Sequence, residues 1–158
     1  DVLQSRGLGD VYKRQLATEL AQDIVRDGEG ATKFVAIEVS GAKSVAEADS
    51  VGRTVAHSPL VKTALFASDP NWGRILAAIG RAGVEDLDVD AVSLSINGAL
   101  IAENGARAES YTEQAGVAAM APEDLLIVID LARGNETAMI WTTDFSYDYV
   151  KINTEYRT

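Results

Sequence analysis

Apolar and polar positions divide the chain into segments of distinct period. Leu16, Leu20 and Ile24 fall at i, i+4 and i+8 with Ala17 and Ala21 beside them, which predicts a helix with one apolar face. Asp27-Gly28-Glu29-Gly30 stops it. Val35, Ile37 and Val39 alternate with Ala36 and Glu38, a strand pattern that ends near Gly41. Ser44 to Ala56 predicts a helix: Ser44 is a cap residue with Glu47 three positions on, and Val45, Ala48, Gly52 and Val55 share a face. Pro59 breaks it, and Thr63 to Ala67 reads as a short strand. Ser68-Asp69-Pro70 opens a further helix through Ile75, Leu76 and Ile79.

Val92, Leu94 and Ile96 alternate with serines and lead into Asn97-Gly98, a hairpin turn signal followed by Ala99-Leu100-Ile101-Ala102. Gln114 to Met120 reads as a short helix. Leu125 to Leu131 is nearly continuous apolar sequence, as in a strand buried on both faces. Arg133-Gly134-Asn135 turns, and Thr137 to Thr143 is expected as the hairpin partner of that strand. Helices and strands interleave while hairpins outnumber crossovers. The expected fold class is therefore α+β, a mixed, hairpin-rich sheet with helices packed on it.

Residues 1–15 show no sustained apolar period, and they are expected to form a poorly ordered leader, separate from a unit spanning 16–158. The chain begins at Asp1 and has methionines only at 120 and 139, so it is expected to be a piece of a longer or processed product.

Composition narrows the chemistry. The 158 residues are 47% hydrophobic and 24% charged, which suits a globular domain. A formal net charge of −10 disfavours nucleic acid as a partner. No apolar run approaches a membrane span, so no membrane partner is expected. The absence of cysteine excludes thiol nucleophiles, disulfides and thiolate metal sites, and it makes a cytoplasmic location the default. His57, the single histidine, stands at an expected helix end, where its charge suits the helix dipole. No metal ligand set is assigned.

Three places could carry chemistry. Asp27-Gly28-Glu29-Gly30 sets a carboxylate between two glycines, either an ordinary polar turn or a holder for a substrate ammonium. Ser68-Asp69-Pro70-Asn71-Trp72-Gly73-Arg74 joins a helix start to an aromatic ring and a guanidinium, either an anion site or a capped helix with a packed tryptophan. The run Asp144 to Thr158 holds four aromatics with the polar groups of Asn153 and Thr158, and it either packs down the terminus or serves a site.

Taken together, Ile24-Val25-Arg26-Asp27-Gly28-Glu29-Gly30-Ala31-Thr32-Lys33, the stretch Ser58 to Phe66 continuing into Asp69-Pro70-Asn71-Trp72-Gly73-Arg74-Ile75, and Ser146-Tyr147-Asp148-Tyr149-Val150-Lys151-Ile152-Asn153 to Tyr156-Arg157-Thr158 resemble the ornithine acetyltransferase (ArgJ) family, in order and in spacing. The resemblance covers about Leu16 to Thr158. It implies an enzyme of arginine biosynthesis, a glutamate N-acetyltransferase with the related self-cleaving aminopeptidase-like fold. In that family a precursor cuts itself before a threonine, and the threonine carries acetyl from N-acetylornithine to glutamate. Some members also take acetyl-CoA as donor, and no other cofactor is implied.

The nucleophile and the oxyanion groups lie upstream of the matching segments, so no catalytic residue is assigned here and the piece alone is expected to be inactive. By position the resemblance makes Glu29, Asn153 and Thr158 substrate-binding residues. It implies the α chain of the same precursor as partner. The rival readings are a self-cleaving aminopeptidase-like enzyme and a non-catalytic amino-acid-binding module.

Overall fold

The computed structural model describes residues 2–155, with side chains from Gly9 onward. Helix α1 spans Val2–Arg26, strand β1 Phe34–Ala42, and helices α2, α3 and α4 span Val45–Ala56, Pro59–Phe66 and Trp72–Gly80. After a single 3-10 turn at Val89–Ala91 come β2 (Ser93–Ile96), β3 (Ala99–Glu103), β4 (Ala106–Arg107), α5 (Glu113–Met120), β5 (Asp124–Asp130), β6 (Glu136–Thr143) and α6 (Tyr147–Glu155). The strands form one six-stranded sheet in the order β4-β3-β2-β5-β1-β6. The pair β1 and β5 is parallel and the other pairings are antiparallel, which is the expected mixed α+β class.

The core lies between one sheet face and helices α2, α3 and α4. Val35, Ile37 and Val39 of β1 stand beside Leu125, Ile127 and Ile129 of β5, with Leu94 and Ile96 of β2 next along, and all are buried. Val51 and Val55 of α2, Leu65 of α3 and Ile75 and Ile79 of α4 complete the cluster. Gly52 lets α2 approach closely: a Cβ there would lie 2.6 Å from Ile140 and 3.4 Å from Val39. Leu126 and Met139 point to the other face and are exposed. The β5 run is therefore not buried on both faces: Asp124, Leu126 and Asp130 are exposed while Leu125, Ile127 and Ile129 are buried.

Four further expectations are corrected. The segment Thr63 to Ala67 is helical, not a strand, because Ser58 Oγ accepts the Val61 N–H and Pro59 occupies the first turn. Its buried residues Val61, Ala64 and Leu65 keep helical spacing, which a five-residue window hides. Helix α4 starts later than Ser68: Asn71 is the cap and accepts the Arg74 N–H at 3.1 Å, while Ser68 has φ +53°.

The strand β6 is not the hairpin partner of β5. It pairs with β1, and the short loop after β5 runs across the end of β1 through Leu131 N–H to Ser40 O and Arg133 N–H to Gly41 O. Finally, α1 extends well ahead of Leu16. Its exposed stretch from Asp10 to Ala17 needs no apolar period, since helical polar residues support one another locally, as Gln15 does in donating to Glu19 at 3.0 Å.

Ser44 caps α2 as expected, with its side chain accepting the Glu47 N–H at 3.1 Å. The turn at Asn97 and Gly98 joins β2 to β3. Among the described residues no helix is long and apolar enough to cross a membrane.

Candidate functional site

The turn after α1 and the start of α6 are 115 or more positions apart in the chain, and the sheet brings them together. Strand β1 begins just after the turn, and antiparallel β6 ends beside that point, so Phe34 stands opposite Thr143. Whatever follows β6 must therefore meet whatever precedes β1.

Asp144 is the first residue past β6 and is 3% exposed. Its Oδ1 accepts the backbone N–H groups of Thr32 and Lys33 at 2.8 and 2.9 Å. Its Oδ2 accepts the Thr32 hydroxyl at 2.6 Å. A carboxylate buried to this degree needs such donors, because desolvation without them is very costly.

Two residues on, Ser146 donates its hydroxyl to the Gly30 carbonyl and accepts the Tyr149 N–H at 3.1 Å, so it caps α6 while holding the turn. Gly30 has φ +65°, and a Cβ there would lie 2.5 Å from Tyr149 N, so both its backbone angle and its contact require glycine.

The next contact along this seam joins two of the sequence-assigned residues. Asn153 Nδ2 donates to Glu29 Oε2 at 3.2 Å and to the Tyr149 carbonyl at 2.9 Å. Both side chains are exposed. Among the described residues, Glu29 Oε1 and Asn153 Oδ1 have no hydrogen-bond partner. The pair thus offers a carboxylate oxygen and an amide oxygen, both acceptors suited to an ammonium group. Thr158, the third assigned residue, lies outside the described residues.

Lys62 supports the seam from α3. Its ammonium donates to the Thr143 carbonyl and to Thr142 Oγ1, the latter at 3.0 Å, and its backbone carbonyl accepts the Phe145 N–H. Burial pushes the Lys62 pKa down, and the Asp144 charge works against that shift. Lys33 anchors the other side by donating to the Met120 and Pro122 carbonyls at 2.9 and 3.0 Å. At the end of α1, the Arg26 guanidinium lies 4.0 Å over the Phe34 ring and forms a two-pronged pair with Asp124. That pairing holds the Asp124 carboxyl below its ordinary range.

The second sequence candidate stands apart from this seam. Arg74 donates to the Leu60 carbonyl at 2.9 Å and to Thr63 Oγ1 at 3.3 Å, tying α4 to α3, and Trp72 packs half-buried against the core. His57 caps the end of α2 through its N–H to the Arg53 carbonyl.

Thr32, Lys62, Asp144 and Ser146 carry the seam, although the sequence assigns none of them a role of its own. Ser146 alone had a readable signal, a serine two positions ahead of an acidic residue in the first turn of a helix. The bonds of Asp144 and Lys62 exist only once the sheet is formed.

The ArgJ family model matches residues 11–158. The arginine biosynthesis bifunctional protein ArgJ of Pseudomonas syringae pv. tomato is 61% identical over 140 residues, covering 89% of this chain and 35% of that protein. The ArgJ protein of Pseudomonas fluorescens is 60% identical over 144 residues, covering 91% of this chain and 36% of that protein. This chain therefore spans about a third of the length of the curated relatives it matches. The crystal structure of the arginine biosynthesis bifunctional protein ArgJ from Bacillus halodurans superposes with a TM-score of 0.85 at 38% identity, covering 94% of this chain and 70% of that one. The chain belongs to the ArgJ family.

Proposed function

We propose that this chain supplies the amino-acid-holding part of an acetyltransferase of arginine biosynthesis, which moves acetyl from N-acetylornithine to glutamate. The observation that carries the reading is the contact between Asn153 and Glu29, two exposed polar side chains brought together from 124 positions apart. Glu29 takes the ammonium of ornithine or of glutamate, Asn153 orients the polar frame of the amino acid, and Thr158 adds a hydroxyl from the terminus. The nucleophile is a threonine on a segment beyond these residues, freed by self-cleavage, whose own α-amine takes the hydroxyl proton. That segment and its oxyanion donors belong to the α and β chains of one precursor, and the assembled enzyme works in the cytoplasm. Acetyl-CoA serves as a second donor substrate in this reading.

The test is reconstitution. The purified chain is expected to show no acetyl transfer alone, and transfer is expected once the rest of an ArgJ precursor is supplied. In the reconstituted enzyme Glu29→Ala should raise KM for N-acetylornithine about 10- to 100-fold, the worth of a hydrogen bond to a charged group. An unchanged KM would overturn the role of Glu29. Ligand binding by the isolated chain with no turnover in any mixture would favour a binding module instead.

A further inference from the structure

We propose that Asp144 is the positioning residue of this site: its carboxylate clamps the turn at Thr32 and Lys33 and so sets the distance between Glu29 and Asn153. The proposal rests on the reading of those two residues as substrate-binding.

Three tethers run along the seam in order. Asp144 holds Thr32 and Lys33, Ser146 holds Gly30, and Asn153 meets Glu29. Asp144 and Ser146, which make the first two, are both buried, and the third is exposed to solvent. An exposed amide-to-carboxylate contact at 3.2 Å contributes little to its own placement, because water competes for both partners. Placement must come from the buried end, where three donors converge on one carboxylate in a site that is 3% exposed.

The direction of those bonds matters as much as their number. Two of the donors are consecutive backbone N–H groups, which fixes the orientation of the peptide plane between Thr32 and Lys33. From that plane the chain runs back through Ala31 and Gly30 to Glu29. Ala31 N–H to Gly28 O, at 3.0 Å, makes the turn between them a single hydrogen-bonded unit. On the other side only Phe145 separates Asp144 from the Ser146 cap of α6, and α6 carries Asn153. Lys62 reinforces this side by holding Thr143 and Phe145. Among the described residues Asp144 makes no hydrogen bond to Glu29 or Asn153, and it acts on them through these two short connections.

The test separates positioning from folding and from substrate binding. In the chain as it stands, Glu29→Gln is expected to shift the side-chain amide signal of Asn153 in a 15N–1H spectrum, since it alters the acceptor of that amide. In an Asp144→Ala background, which removes both acceptor oxygens, the same substitution should leave the signal where it is, while the methyl signals of buried Ile37 and Ile127 stay at their native positions. In the reconstituted enzyme Asp144→Ala should raise KM for N-acetylornithine at least fivefold with kcat within about threefold of its starting value.

If the Glu29→Gln shift persists in folded Asp144→Ala, the proposal is overturned, whatever the kinetics. If the shift is lost but Glu29→Ala leaves KM unchanged, the clamp stands and the substrate reading fails. Should Asp144→Ala not fold, Thr32→Val decides: it removes only the hydroxyl donor and is expected to reduce the shift to about half, and an undiminished shift overturns the clamp.

Discussion

Two buried regions hold this molecule, and they hold it by different physics. Between β1 and α2 the contacts are apolar: Ile37, Val39, Val51 and Val55 are fully buried, and Gly52 lets the helix settle onto Ile140. Such contacts are non-directional and scale with the area removed from water. Where β6 ends, Asp144 and Ser146 are each 3% exposed, yet their contacts are hydrogen bonds with fixed donors and acceptors. The core therefore decides whether the chain folds, and the polar seam decides where two distant loops sit once it has. Volume-conserving changes should be tolerated in the first region and not in the second, because an isostere of a carboxylate changes what it accepts.

Substitutions can break or sharpen this contrast. The largest loss is expected for Ile37→Ala, at the centre of β1: about 2–5 kcal/mol, read from the urea midpoint, against about 0.5–1.5 kcal/mol for Ile37→Val. Next comes Gly52→Ala, which overpacks the helix–sheet contact and is expected to cost about 1–3 kcal/mol. Combining it with Ile140→Ala should cost less than the sum of the two single changes, since both act on one contact. A strictly additive result would show that α2 shifts away instead.

Ser146→Ala tests the seam. Loss of the cap should cost about 0.5–2 kcal/mol, and hydrogen exchange should quicken in α6 well before it does in β1. Equal acceleration in both would mean that the seam and the core are one cooperative unit.

The smallest effect belongs to the exposed pair of Arg26 and Asp124. The Asp124 carboxyl lies below its ordinary range because Arg26 donates to it. Its contribution is fully present above the ordinary aspartate value of about 3.9 and is lost as the pH falls through the lowered one. Asp124→Asn should therefore flatten the acid limb of the stability curve slightly, and salt should erase the difference between the two proteins.

Much of the local structure could be read before any coordinates. Ser44 with Glu47, the Asn97-Gly98 turn and the alternation in β1 are signals written within a few residues, and each behaves as local chemistry dictates. The helix at Pro59–Phe66 is capped locally by Ser58, and only the short window around Thr63 conceals it. Elsewhere the structure departs from expectation where a neighbour from another part of the chain decides. The strand β6 follows β5 after a short loop, yet it pairs with β1, since the loop finds its hydrogen bonds at Ser40 and Gly41.

The site divides in the same way. Resemblance to the ArgJ family marked Glu29, Asn153 and Thr158 from the sequence, and the fold brings the first two into contact. Nothing local distinguishes Asp144 from the chain's other aspartates.

By itself, then, the sequence determined the elements whose hydrogen bonds close within a turn or a cap, the apolar faces they would bury, and the family to which they belong. Only the tertiary structure decided which strands became neighbours and which polar groups were shut away from water. Those outcomes depend on partners distant in the chain, 112 positions for Asp144 and Thr32 and 124 for Asn153 and Glu29. A buried carboxylate acquires its meaning from the donors that surround it, and those donors assemble only when β6 has paired with β1.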